Sequence, residues 1–148
     1  MIAVIQRVAR ASVTIDSRLN SSIDNGLLIL LGVKQGDTEK DAELLVRKIS
    51  NLRIFSDEFG KMNLSVLDVG GSALVVSNFT LLANYKKGNR PDYLNGAKPE
   101  EANRLYKYFC KMISASVPTE TGVFGADMQI DLINDGPVTI VMDSEVLK

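Results

Sequence analysis

Apolar and polar residues alternate from Met1 to Asp16, a pattern that predicts two strands with Val4, Val8, Val13 and Ile15 turned inward. "RLNSSIDNG" reads as a hairpin arm ending at the turn dipeptide Asn25-Gly26. The period then changes. "LLILLGV", Leu27 to Val33, has no polar interruption and predicts a strand buried on both faces. Gly36-Asp37-Thr38 stops it, and Asp37 or Thr38 can cap a following helix. In that helix Ala42, Leu45, Ile49 and Leu52 recur at helical spacing, which turns one face toward a sheet.

A loop holding Asp57, Gly60 and Asn63 precedes Gly70-Gly71 and the strand "SALVVSNFTLL". A second helix begins near Pro99, a residue suited to the first turn, where Glu100 and Glu101 favour the positive end of the dipole. Its apolar stripe is Ala102, Leu105, Tyr106, Phe109, Met112 and Ile113, with Cys110 beside it as a packed thiol. Two last strands, Val123 to Ile133 and Val138 to Met142, are joined by "NDGP". No linker or repeat interrupts the 148 residues, which read as a single domain, 1–148. The order strands, helix, strand, helix, strands predicts an α+β fold, mainly antiparallel, with two main helices on one side.

Composition narrows the function. Apolar residues at 45% and charged residues at 24% fit a globular protein, and no apolar run nears the roughly 20 residues of a membrane span. The first seven residues enter a strand pattern at once, without a signal-peptide layout, and one cysteine allows no internal disulfide; the expected compartment is the cytoplasm. A net charge of −1 excludes a protein coated in positive charge for nucleic acid, so any RNA contact would be local, at Lys86, Lys87 and Arg90. Taken alone, such a cluster is more often a solvated turn. The most restrictive count is histidine, which is zero. No Ser-His-Asp or Cys-His apparatus and no zinc site of histidines or clustered cysteines can form, and no Asp or Glu spacing makes a ligand pattern. Neither metal nor cofactor is expected.

Two motifs carry the remaining chemistry. Ser77-Asn78-Phe79-Thr80 sets two hydroxyls, a carboxamide and a ring at the end of an apolar strand; alternation puts Ser77 and Phe79 on one face, Asn78 and Thr80 on the other. Amide and hydroxyl donors there suit a developing oxyanion. A buried, internal Thr80 has neither a histidine nor a terminal amine to activate it as a nucleophile. Read alone, four such residues are more often structural. Asn134-Asp135-Gly136-Pro137-Val138-Thr139 reads either as a tight turn or as backbone shaped for close approach to a ligand, and frequency alone predicts a trans Gly136–Pro137 bond.

With "IAVIQRVARASVTID", "LLILLGV", "LRIFSDEFGKMNLSV", "KKGNRPDY" and "TGVFGADMQIDLINDGPVT" in order around these motifs, nearly the whole chain resembles the D-aminoacyl-tRNA deacylases. The resemblance implies a hydrolase that cuts the ester between a D-amino acid (or glycine) and the 3′-terminal adenosine of tRNA, a proofreading step in translation. It implies a homodimer with active sites at the subunit interface, where a cis Gly136–Pro137 pair enters the other subunit's pocket and excludes an L side chain. By the same resemblance Arg7 orients that pair, and Phe124, Ala126 and Met128 line the adenosine pocket. Ser77, Asn78, Phe79 and Thr80 form the catalytic stretch, with backbone amides and the ribose 2′-hydroxyl as the chemical groups. Lys86, Lys87 and Arg90 would meet tRNA phosphates. The family has glutamine at the Asn78 position, one methylene longer. Two rivals stay open: a related deacylase that edits L-alanine, expected to carry Pro and Ala at the Ser77 and Phe79 positions and a trans Gly-Pro bond, and a tRNA-end binding module without catalysis.

Overall fold

The structure, a computed structural model describing residues 1–148, is organised around one long strand, β1 (Ile2–Ile15), where two strands were expected. It stays whole because both its edges are paired. The final strand, β8 (Gln129–Asp143), runs antiparallel along one edge from Ile2 to Thr14. The other edge is shared by β3 (Gly26–Gly32), opposite Ile2–Val8, and β2 (Arg18–Ile23), opposite Ala11–Ile15. Ala3, Ile5, Val8, Ala11 and Val13 are buried, whereas Val4 and Ile15 are only half-buried. The alternation slips after Ile5 and again after Val8, where the ladder to β8 shifts register.

The hairpin turn lies elsewhere than predicted. Asp16 and Ser17 join β1 to β2 with φ of 49° and 62°, the paired positive angles of the turn that matches strand twist. Asn25-Gly26 instead joins two segments lying on the same edge of β1. Its glycine is required by close approach: a Cβ on Gly26 would sit 1.9 Å from the Ser72 carbonyl oxygen.

β3 pairs in parallel with β6 (Ser72–Ser77), and β6 in parallel with β7 (Thr119–Thr121). The sheet is therefore mixed, antiparallel in its three ladders to β1 and parallel in these two. Parallel neighbours need long crossovers, and these hold α1 (Glu39–Ser50) and α2 (Pro99–Ser114), with a small hairpin of β4 (Phe55–Ser56) and β5 (Met62–Leu64) after the first. Successive residues of β3 and β6 serve opposite faces. Leu27, Ile29, Leu31, Ala73 and Val75 meet the helices through Leu45, Ile49, Leu105 and Phe109. Leu28, Leu74 and Val76 pack on the other side against Val8, Ala11, Val13 and Ile23. No helix is long and apolar enough to cross a membrane.

Three carboxylates, Asp37 and Asp41 at the start of α1 and Glu145 from the far end of the chain, converge within 4.8 Å. Cations and hydroxyls already meet them. The α-ammonium of Met1 donates to Asp37 Oδ1 at 2.7 Å and to Ser144 Oγ at 2.8 Å, and that hydroxyl donates to Asp41 Oδ1 at 2.7 Å. Lys148 Nζ lies 3.0 Å from Asp41 and 2.6 Å from Glu145. Thr38 is the helix cap, and Asp41 Oδ2 accepts from its N–H at 2.9 Å. Burial alone would raise the Asp41 carboxyl, but the bonds from Thr38, Ser144 and Lys148 win and hold it well below the usual carboxylate range. A depressed folded-state pKa stabilises the fold fully above about pH 4, and that contribution is lost as pH falls toward the folded value. Asp41→Asn should thus lower stability at neutral pH by about 2–4 kcal/mol in urea titrations. It should also lose less stability than the parent chain between about pH 4 and pH 2.

Candidate active site

β6 ends at Ser77, and the Asn78 N–H makes one more bond to the Leu31 carbonyl at 2.8 Å. The chain then leaves the sheet in a single 3₁₀ turn, Phe79–Leu82. Strand alternation therefore does not apply to Ser77-Asn78-Phe79-Thr80. Asn78 caps the turn: its Oδ1 accepts from the Thr80 N–H at 3.2 Å and from the Thr80 hydroxyl at 2.5 Å. This gives asparagine a local reason, since short amides cap helical turns best. With Oδ1 engaged, Nδ2 is left without a protein partner. The Phe79 N–H, first in the turn, donates to no side chain and to no loop carbonyl, whereas the Thr80 N–H is engaged by the cap. Thr80 is exposed, not buried as expected, because it lies on the turn and not in the strand.

These residues form one wall of a cleft of about 700 Å³. Leu31, Val33 and Val76 lie beneath; Tyr93, Ala97 and Ala102 come from the approach to α2 and its first turn; Phe124, Ala126, Asp127 and Met128 close the other side. The last four stand on a loop between β7 and β8, where a strand was expected. The loop folds back tightly: a Cβ on Gly122 would meet Met128 Sδ at 2.6 Å, and Gly125 turns the chain at φ 78°. Tyr93 and Asp127, which the motifs did not single out, belong to the lining; Tyr93 meets the Phe79 ring edge-on at 4.9 Å.

α2 fixes both walls through Tyr106, whose hydroxyl donates to the Val75 carbonyl at 2.9 Å and whose ring leans on Phe124 at 6.1 Å. Burial raises the Tyr106 phenol and pushes the Cys110 thiol up to about 11, so Cys110 is a packed thiol and no thiolate. The cleft thus offers donors and apolar surface, and a single carboxylate, Asp127, at its exposed rim.

Gly136 and Pro137 lie apart from it. Between the pairs Gln6–Thr139 and Val8–Asn134, Arg7 alone faces the four residues Asp135–Val138, which loop out of an otherwise continuous β8. This segment is a bulge within one strand and not the turn between two. The Gly136–Pro137 bond is cis, where frequency alone pointed to trans. Arg7 Nε donates to the Asp135 carbonyl and Arg7 Nη1 to the Ile54 carbonyl, each at 2.7 Å. Asn134 spans the loop: Nδ2 lies 3.0 Å from the Val138 carbonyl and 3.1 Å from Gln6 Oε1, and Oδ1 accepts from the Val138 N–H at 2.9 Å. Gly136 has no room for a side chain, since a Cβ would lie 2.4 Å from the Val138 nitrogen. Arg7 pairs with Leu27, whereas the cleft begins beside Leu31. Four residues of strand separate them by roughly 13 Å. Lys86, Lys87 and Arg90 are exposed on the Asn84–Asp92 loop, outside the cleft lining, and enter no ion pair.

Comparison with known proteins gives the family. The profile of the D-Tyr-tRNA(Tyr) deacylase family matches residues 4–143. A D-aminoacyl-tRNA deacylase of Parabacteroides distasonis is 55% identical over 147 residues, 98% of each chain. Among solved structures, the c-Myc DNA unwinding element binding protein superposes with a TM-score of 0.92 at 44% identity, covering 97% of this chain and 98% of the other. A probable eukaryotic D-amino acid tRNA deacylase shares the fold alone, with a TM-score of 0.82 at 12% identity over 95% and 97% of the two chains. The protein is an enzyme of the ester-hydrolase class. The chain belongs to the D-Tyr-tRNA(Tyr) deacylase family.

Arg7→Met keeps the aliphatic stem and removes both anchoring bonds, each contributing about 1.5–3 kcal/mol as a charged hydrogen bond. Hydrogen exchange at Gly136 and Val138 should quicken in this variant, while the β3–β6 amides stay protected.

Proposed function

We propose that the chain hydrolyses the ester joining a D-amino acid, or glycine, to the 3′ end of tRNA, and that it does so as a homodimer in which each cleft is closed by the Gly136–Pro137 bulge of the other copy. The observation that carries this reading is the separation within one chain. The cleft has free donors and takes no lining from Gly136 or Pro137, and the bulge is held by Arg7 and Asn134 on the edge strand β8, exposed and several residues of strand away from its own cleft. A wall of glycine backbone and proline ring next to the substrate α-carbon leaves space for hydrogen on that side and none for an L side chain. Apolar Phe124, Ala126 and Met128 suit the face of the terminal adenine. Ser77 and Phe79, standing where the alanine-editing relatives are expected to carry Pro and Ala, favour the D-specific branch.

The chemistry follows from which groups are unengaged. The ester carbonyl oxygen sits on the Phe79 N–H, assisted by Asn78 Nδ2, so that charge developing on it in the tetrahedral intermediate meets preorganised donors. Water attacks the carbonyl carbon. The ribose 2′-hydroxyl takes the water's proton as it passes its own to the departing 3′ oxygen, the C–O bond breaks, and free amino acid and tRNA result. Thr80 is no nucleophile in this scheme. Its hydroxyl donates to a neutral carboxamide, which cannot hold a proton at neutral pH, and no histidine or lysine lies among the cleft residues. What remains to it is an acceptor lone pair that can orient the water.

D-Tyr-tRNA should be hydrolysed and L-Tyr-tRNA spared; equal turnover of the two would overturn the chiral reading. Thr80→Ala should cost less than about tenfold, against losses on the order of 10⁶ when a true nucleophile is removed. A D-aminoacyl-tRNA ending in 2′-deoxyadenosine should be a poor substrate, and a trapped acyl-Thr80 species would refute the mechanism.

Replacing both Lys86 and Lys87 by Ala should weaken tRNA affinity and flatten its salt dependence, because each phosphate contact releases condensed counterions. Thermal stability should barely move, since exposed charges contribute about 0–1 kcal/mol. An unchanged salt slope would leave the cluster as a solvated turn.

A further inference from the structure

The loop between the catalytic turn and α2 carries an aromatic side chain that neither the fold nor the cleft uses. Tyr85 is 76% exposed, although every other tyrosine is committed: Tyr93 to the Phe79 ring, Tyr106 to the Val75 carbonyl, Tyr108 to Glu43 at 2.7 Å. The loop displaying it is closed at its neck. Asn84 and Asp92 exchange backbone bonds of 2.8 and 3.0 Å, and Asn84 Nδ2 donates to Asp92 Oδ2 at 3.0 Å. Asp92 Oδ1 also accepts from the Leu94 N–H, so this carboxylate is spent on the neck and leaves the cations above it uncompensated. Those cations are Lys86, Lys87 and Arg90. Tyr93, the residue after the neck, is itself part of the cleft wall, so the loop is rooted at the cleft.

We propose that Tyr85 is a base-stacking residue, and that the Asn84–Asp92 loop seats unpaired nucleotides next to the 3′-terminal one. The inference rests on the tRNA-end reading of the cleft. A single strand leaving the cleft presents phosphates and unstacked bases together, and the loop presents their complements, three exposed cations and one open aromatic face. A duplex would offer the cations its phosphates but no base for Tyr85. The loop therefore selects the single-stranded end over the paired stem, and Tyr85 sets affinity for RNA beyond the terminal adenosine.

The test uses the full chain with two substrates and one binding probe. Tyr85→Ala should reduce kcat/KM on D-aminoacyl-tRNA roughly tenfold, through KM. The penalty should be absent on a D-aminoacyl ester of adenosine, which ends before the loop. Tyr85→Phe, which keeps the ring, should restore the parent value. The probe is an uncharged RNA hairpin whose unpaired 3′ tail carries 2-aminopurine: stacking on Tyr85 should quench it with the parent chain and with Tyr85→Phe, and not with Tyr85→Ala. Equal loss on both substrates, no loss on either, or quenching unaffected by Tyr85→Ala would overturn the proposal. So would a loss accompanied by a change in sedimentation, which would assign Tyr85 to a subunit contact. Failure of the parent chain to hydrolyse either ester would sink the deacylase reading instead, and the hairpin probe would still report on Tyr85.

Discussion

The structure depends on a mismatch in one ladder. β1 and β8 pair from end to end, yet opposite Arg7 the partner strand carries four residues where one would fit. A ladder with such an excess must expel it, and what is expelled here is Asp135–Val138, with backbone groups that no sheet neighbour can satisfy. Arg7 takes the Asp135 carbonyl and Asn134 takes both backbone groups of Val138, from inside the same two strands. The guanidinium also holds the Ile54 carbonyl, so the segment leading into the small β4–β5 hairpin is tied to the bulge. Even the slip in the burial phase of β1 follows from this, since the strand must twist past the expelled residues.

A similar economy governs the cleft. Without histidine, the proposed hydrolysis leaves proton transfer and charge stabilisation to neutral donors and to the substrate. The strand-to-turn transition at Asn78 supplies such donors because the chain has just left the sheet: Phe79 lies past the last ladder residue, and as the first residue of the turn its N–H precedes the bonds the turn makes. Capping settles which amide is free, as Asn78 takes the Thr80 N–H and leaves that of Phe79 open. α2 makes the transition rigid at a distance, with Tyr106 bonded to Val75 just upstream and packed on Phe124 across the cleft. Helix, strand end and the loop after β7 act as one frame, and the bulge belongs to another.

Much of the frame was legible in the residues. The unbroken run Leu27–Val33, the helical stripes through Ile49 and Ile113 (the first read on to Leu52, which lies just past the end of α1), and Pro99 at a helix start each encode a period and a face, which depend on neighbours three or four positions away at most. The absence of histidine fixed what chemistry the cleft lacks. The blocks shared with the deacylases pointed to Ser77–Thr80 and to the Gly136–Pro137 pair; the first of these line a cleft and the second sit in an exposed bulge. Local signals misled where a distant strand decided the matter. Asn25-Gly26 has the composition of a hairpin turn, but its glycine is there because the Ser72 carbonyl leaves no space for a Cβ. Val123–Ile133 alternates like a strand, but Gly122 against Met128 folds its first half into a loop.

What only the tertiary structure decided is which remote segments meet and in what register. Parallel pairing of β3 with β6, the four residues facing Arg7, the convergence of Asp37, Asp41 and Glu145 around Met1 and Lys148, and the separation of the bulge from its own cleft all involve partners tens of residues apart. No periodicity records such distances. Pattern fixes the direction in which a side chain faces, through the 3.6- and 2-residue repeats of the backbone. Register is chosen by packing and hydrogen-bond satisfaction across the whole sheet, where a shift of one residue would turn every buried side chain of β1 toward water.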